Sequence, residues 1–363
     1  MEYKNHFKEK LARLIFLEIQ KGFLEDSLQV PGLKAMKEDL FLPLSPEYIA
    51  ENLTQDMTKN LPFGEFVKGM YYVAGADPEF AQVPLYRRIL LSLRREEVIK
   101  GYVAKLLKED KKEEALLYLL GLYTIHQEAD VLLKALSLLE EMAITQTMYQ
   151  DALKAYAELA QKSDLKEGNL FLGSAWRLQG NFDKALLHLR EYLRQGGEET
   201  PEITEELEFL DRKTRILEGE GILYENPQHF LELVLPLLNR EEDNPRLLLM
   251  IGIAYRLLKN HEKAIYYLQE ALAVDEAYVD VHNELGINYA ALGDYALAIT
   301  YFRKIFEQVR SIEILTNLIM CYLNVGDLDS AKAHIEIAEL MDGDDEILQE
   351  IKQYVRKLEG ETE

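Results

Sequence analysis

The residues able to do chemistry are few and scattered along the chain. Seven histidines, His6, His126, His188, His229, His261, His282 and His334, include no two spaced four apart, so no helix face offers a histidine pair to a metal. There is no HExxH and no CxxC. The single cysteine, Cys321, rules out an internal disulfide framework, suits a reducing compartment and is expected to be a buried free thiol. A phosphate-cradling GxxxxGK[ST] is absent, and GEGIL at 219–223 is not a dinucleotide fingerprint. The run DGDDE at 342–346 lacks the alternating ligands and distal glutamate of a calcium loop and reads as a charged cap before a helix. No cofactor, metal or catalytic set is expected.

Charge narrows the partners. At a net charge of -23 over 363 residues the chain would be repelled by nucleic acid and by anionic membrane surfaces, while meeting a basic partner faster. Acidic runs such as GEETPEITEELE (197–208) read first as solvated helix surface. The N-terminus, MEYKNHFKEK, is charged, and the apolar LIFLEI after it is broken by Glu18 with no small-residue cleavage site following, so neither a signal peptide nor a membrane span is expected. A soluble cytoplasmic protein fits these features.

With 48% apolar residues the chain can bury a large core, yet its length exceeds what one compact core usually holds, which leaves two domains or an elongated repeat. The stretch NELGINYAALGDYALAITYFRKI (283–305) decides between them. Leu285, Gly286 and Tyr289 share a helix face with His282; Gly293 can take the left-handed conformation that ends that helix, and Asp294 can cap the next. Tyr295, Ala298, Ile299 and Phe302 then continue the helical spacing on a second, antiparallel helix. Gly286 and Ala298 allow the two backbones to approach, and the aromatics fill the volume beside them. A lone pair of this kind leaves apolar surface wet, so it predicts copies of itself.

Thirty-four residues upstream lie Gly252, Tyr255, Asn260, Ala264, Ile265, Leu268 and Ala271; thirty-three downstream lie Ile319, Tyr322, Gly326, Asp327, Ala331, Ile335 and Ala338. A fourth copy holds Gly173, Trp176, Gly180, Asn181, Phe182, Ala185 and Leu189. In period, in the small residue followed by an aromatic, and in the alanine of the second helix, this array resembles the tetratricopeptide repeat family. Three departures stand out. Lys259 occupies the turn-glycine position, Ile305 replaces a small residue late in its helix, and the closing proline is missing from all four units. At Lys259 either the left-handed residue is the lysine itself, at a small backbone cost, or it shifts to Asn260.

The expected organisation is all-α. Residues 1–95 form an irregular helical N-terminal region, with a helix near 3–24, a helix start at Ser45-Pro46-Glu47 and another helix closed at Gly75. Residues 96–343 form the repeat array, which the resemblance makes a right-handed superhelical α-solenoid of antiparallel helix pairs. Its clear units are about 166–199, 245–278, 279–311 and 312–343, with degenerate units about 96–164 and 200–244. The second of these degenerate units is a long helix capped by Thr200 and a helix bent or broken at Pro236. Residues 344–363 supply a capping helix and tail, with Ile347, Leu348, Ile351, Tyr354, Val355 and Leu358 on its packing stripe.

The resemblance implies that first helices line a concave, partner-binding face. One helical step off the packing face come Leu170, Ser174 and Arg177, then Leu249, Ile253 and Arg256, then Asn283, Ile287 and Ala290, then Thr316, Met320 and Leu323. Only Arg177 and Arg256 are cationic, unlike the family version that clamps a C-terminal carboxylate with Lys, Arg and Asn. The face is read either as open to an amphipathic helix or apolar peptide, or as filled by the apolar N-terminal helix. A non-catalytic protein-interaction scaffold is the leading expectation. The alternative is a peptide-responsive cytoplasmic regulator with the N-terminal region as effector, which it resembles in layout alone. An enzyme housed in residues 1–95 has no motif behind it. Partners are expected to be a protein or peptide, with no nucleic acid or membrane and with self-association left open.

Overall fold

The computed structural model describes residues 2–19, 39–44, 63–241 and 243–358, together with residues 25, 48 and 360. They fall into two compact units, Met1–Asp211 and Arg212–Glu363.

The first unit begins with α1 (Glu2–Lys10), which gives way to a single 3-10 turn, Leu11–Arg13. Strand β1 (Phe16–Glu18) then pairs antiparallel with β2 (Phe41–Pro43), Leu17 opposite Leu42. The expected helix over 3–24 and the expected all-helical character of 1–95 are thereby corrected. LIFLEI is rich in residues that suit a pleated surface, and a distant partner strand decides its conformation. Beyond the ladder, Ile19 N–H donates to Leu40 O at 2.9 Å and Leu44 N–H to Ile15 O at 3.0 Å. Leu40, Leu42 and Leu44 are buried, and the Tyr86 hydroxyl ties the ribbon to the helices through Phe41 O at 2.6 Å. Residues 20–24 and the helix start read at Ser45-Pro46-Glu47 lie outside the described residues.

Helices α2 (Phe63–Ala76), α3 (Val83–Leu93), α4 (Glu96–Lys108), α5 (Lys112–His126), α6 (Ala129–Thr145), α7 (Met148–Lys162), α8 (Glu167–Leu178) and α9 (Phe182–Arg194) follow. One continuous core runs from Tyr3 to Ala175, so the N-terminal region shares its interior with the first helix pairs.

Gly75 does not close α2, as the sequence suggested; the helix continues to Ala76, and Gly75 sits where α2 meets α5. A Cβ at Gly75 would lie 1.8 Å from Leu117 O, and one at Gly121 would lie 1.9 Å from Tyr71 O. The two backbones touch, and only glycine fits on either side.

The boundary between the units falls inside α10 (Pro201–Ile222), whose start is capped by Thr200 Oγ1 accepting from Ile203 N–H at 3.4 Å. In the second unit come α11 (Pro227–Val234) and a 3-10 segment, Leu235–Arg240, that begins next to Pro236. The lost amide of that proline explains the break. The array proceeds through α12 (Pro245–Leu257), α13 (His261–Val274), α14 (Val279–Ala291), α15 (Tyr295–Phe306), α16 (Ile312–Asn324) and α17 (Leu328–Asp342) to α18 (Glu346–Leu358).

Register carries through to packing. Ala185, Ala264, Ala298 and Ala331 of the second helices are all fully buried. Gly286 meets the Phe302 ring so closely that a Cβ would stand 2.7 Å from it. Asn181, Asn260, Asp294 and Asp327 each accept the amide three residues on, at 3.0–3.3 Å, and so cap the second helix. Lys259 itself is left-handed, at φ 60°, while Asn260 at φ -97° is the cap, which settles the alternative posed by the sequence. The α18 stripe is narrower than expected. Leu348, Ile351 and Val355 are buried, whereas Ile347, Tyr354 and Leu358 face solvent, because the preceding pair covers only one side of the helix.

Gly121→Ala tests the α2–α5 contact. Helix propensity alone would favour the change by about 1 kcal/mol. Overpacking against Tyr71 O should instead lower stability in a denaturant melt by about 1–3 kcal/mol or more. Lys259→Gly relieves a left-handed lysine and should be neutral or stabilising by up to about 1 kcal/mol in the same melt.

Candidate functional site

The twelve residues read as face-lining fall into two groups. Leu170, Ser174 and Arg177 lie on α8 in the first unit; the other nine lie on α12, α14 and α16 in the second. Leu249, Ile253 and Thr316 are buried and present almost no surface, and Thr316 Oγ1 donates to Glu313 O of its own helix at 3.0 Å. The structure brings Ile287, Ala290 and Met320 to one hollow of about 220 Å³, closed by Phe302 and Cys321 and edged by Asn317. Met320 is 40% exposed there. One turn before Ile287, the Asn283 Oδ1 is buried and meets no donor among the described residues. The chemistry on offer is apolar contact from α14 and α16, with amide groups alongside able to bond a backbone.

Both cations of the face are already engaged. Arg256 binds Glu284 through two hydrogen bonds, at 2.6 and 3.2 Å, with both side chains largely shielded. Arg177 pairs with Glu206 at 2.9 Å and lies over the Phe209 ring, 5.2 Å from its centre. Burial raises the Glu206 carboxyl above the usual carboxylate range; Arg177 opposes that shift, and Glu140 and Glu205 add to it. Neither arginine is free to clamp a carboxylate. Comparing like positions between repeats does not reveal these partners, yet the sequence does carry a signal for them. Lys100–Glu128, Lys213–Glu241 and Arg256–Glu284 are all separated by 28 residues, and Arg177–Glu206 by 29. A basic side chain on one helix thus meets an acidic one about a repeat later.

A second polar site, in the first unit, has no signal in the sequence at all. Glu113 of α5 bonds Lys10 at 2.5 Å, the Tyr149 hydroxyl at 3.0 Å and the His6 ring. Burial acts to raise this carboxyl, and the bonds from Lys10 and His6 outweigh it and hold it below its ordinary range. The cluster borders a cavity of about 590 Å³ with Glu141, Met142 and Gln146. Both oxygens of Glu113 are used in holding α1 and α7, so the group serves as a clasp. Phe7 adds a ring contact to Tyr149 at 6.4 Å. Within the first unit the N-terminal helix is therefore seated on α5 and α7, second helices of their pairs, rather than on the α8 face that carries Leu170, Ser174 and Arg177.

The histidines serve locally: His126 meets Tyr71 at 2.7 Å, His188 meets Asn169 at 3.0 Å and His261 meets Asn288 at 2.9 Å. Cys321 is buried, and burial pushes its thiol up to about 11. Among the described residues no group of three His, Cys, Asp or Glu side chains is placed to hold a metal, and no described helix is long and apolar enough to cross a membrane.

The repeated pairs, their caps and their buried alanines agree with a direct comparison: a tetratricopeptide repeat family model matches residues 143–199 and 249–308. Over those two stretches the chain carries tetratricopeptide repeats. Among solved structures it is similar to a MamA protein (18% identity, 55% of this chain and 96% of that one, TM-score 0.36). It is also similar to TTC0263, a thermophilic repeat protein of Thermus thermophilus (23% identity, 52% of this chain and 98% of that one, TM-score 0.32). A third is YrrB, described as a repeat protein with an unusual peptide-binding site (15% identity, 69% of this chain and 97% of that one, TM-score 0.29). No curated protein matches the chain.

Arg256→Ala would strand the shielded Glu284 carboxylate and should cost about 2–4 kcal/mol in a denaturant melt. Arg256→Met combined with Glu284→Leu should recover most of that loss, which identifies the pair as internal to the repeat protein.

Proposed function

We propose that this chain is a non-catalytic interaction scaffold that takes up an amphipathic helix or an apolar extended peptide on the α14–α16 face of its second unit. The observation that carries the reading is the hollow of Ile287, Ala290 and Met320, apolar at its base and edged by the Asn317 amide, with the unpartnered Asn283 Oδ1 one turn before Ile287 on α14. A partially exposed methionine adapts to irregular apolar side chains, and amide groups beside it can satisfy backbone donors and acceptors of an incoming segment. With Arg177 and Arg256 neutralised by Glu206 and Glu284, neither cation of the predicted lining is available to select an acidic tail. The net charge of -23 favours a ligand whose apolar side chains are flanked by basic ones.

The test is a peptide-display selection against the purified full chain, followed by fluorescence-anisotropy titration of the selected peptides. Met320→Glu, a change at a solvent-facing position, should weaken binding by at least about tenfold. Leu187→Glu, at an exposed position on α9, should leave it unchanged. Equal affinities for the wild type and Met320→Glu would overturn the assignment of this face.

A further inference from the structure

The array ends, among the described residues, on a helix with a second apolar stripe. Ile347, Tyr354 and Leu358 fall at i, i+7 and i+11 of α18 and so lie on one line along it. They are 53%, 51% and 55% exposed, and Leu340 on the preceding helix is 90% exposed. A helix that only solvated the end of a repeat stack would carry polar residues there.

The charges beside the stripe are sorted along the helix. Glu346 and Glu350 flank its first half and Lys357 flanks its second, on the same side; Glu350 and Lys357 have no ion-pair partner among the described residues. Lys352, by contrast, is taken by Glu339 of the same chain. A helix acidic at one end and basic at the other is complementary to itself when reversed. Turned about a two-fold axis near Tyr354, two such helices bring Glu350 of each copy to Lys357 of the other, lay Ile347 near Leu358 of the second copy, and set the helix dipoles side by side and antiparallel.

We propose that α18 is a homodimerisation surface, pairing antiparallel with α18 of a second copy of this chain. Three apolar side chains and two exposed ion pairs make a small contact, so the dimer is weak, with a dissociation constant on the order of 1–100 µM. The pairing is independent of the peptide-binding face on α14 and α16, and either assignment can fail without the other.

Sedimentation equilibrium of the full chain over a concentration series up to about 200 µM tests it. A monomer–dimer equilibrium is expected, weakened by at least about tenfold in Tyr354→Glu. Lys357→Glu and Glu350→Lys should each weaken the dimer by about fivefold, since both contacts become like-charged. An equimolar mixture of these two variants should dimerise again, because each then supplies the charge the other lacks. These positions are exposed, so circular dichroism should show the helical fold unchanged in all three variants. A chain that stays monomeric throughout, a dimer indifferent to Tyr354→Glu, or a mixture no more associated than its components would overturn the proposal, the last pointing to a partner other than a second copy.

Discussion

At the end of one helix after another, a backbone amide reaches back to the carbonyl five residues earlier. Lys111 to Leu106, Leu165 to Ala160, Asn181 to Trp176, Gly197 to Tyr192, Asn260 to Tyr255, Asp294 to Tyr289 and Asp327 to Tyr322 all make this bond, at 2.8–3.1 Å. The bond forms only when the residue just before the donor is left-handed, and Asp110, Asp164, Gly180, Gly196, Lys259, Gly293 and Gly326 are. Most of these turns reverse the chain within two or three residues, which sets each second helix antiparallel to its first at touching distance. Small residues at Gly252, Gly286 and the buried alanines then become necessary, because the turn leaves no room for larger ones. The lining of the α14–α16 face follows from the same geometry.

The repeats can be read from the sequence because their determinants are local. A left-handed turn, an Asx cap and a 34-residue register each lie within one stretch of chain, and glycine or asparagine announces them. The turn at Lys259 shows the limit of that code, since the geometry persists where the residue that usually marks it is gone. The N-terminal region is less legible for the opposite reason. β1 owes its conformation to a strand distant in sequence, and Gly75 owes its presence to Leu117 and Gly121 on another helix. Nothing near Gly75 in the sequence separates a glycine that ends a helix from one that admits a neighbour.

For the candidate site, register identifies which helix faces to consider but not what they present. Leu249 and Ile253 carry the right spacing and are nonetheless buried, while Met320 at an equivalent step is open. Burial depends on how far the next helix reaches across, which a period cannot state. The two arginines are visible as residues, and their carboxylate partners sit about one repeat further on. The clasp at Glu113 joins positions more than 100 residues apart and has no periodic trace.

The burial of Cys321 has a consequence for kinetics. As the chain's only thiol, set among Ile319, Leu315 and Phe302 in the core of the last helix pairs, it has little thiolate, and the 2% of it that is exposed meets only the α14–α16 hollow, so reagent reaches it freely only when these helices part. Its alkylation rate in native buffer therefore counts the opening events of that one cluster, separately from fraying anywhere else in the molecule. A structural cysteine becomes a clock for local unfolding, and it needs no label to be introduced.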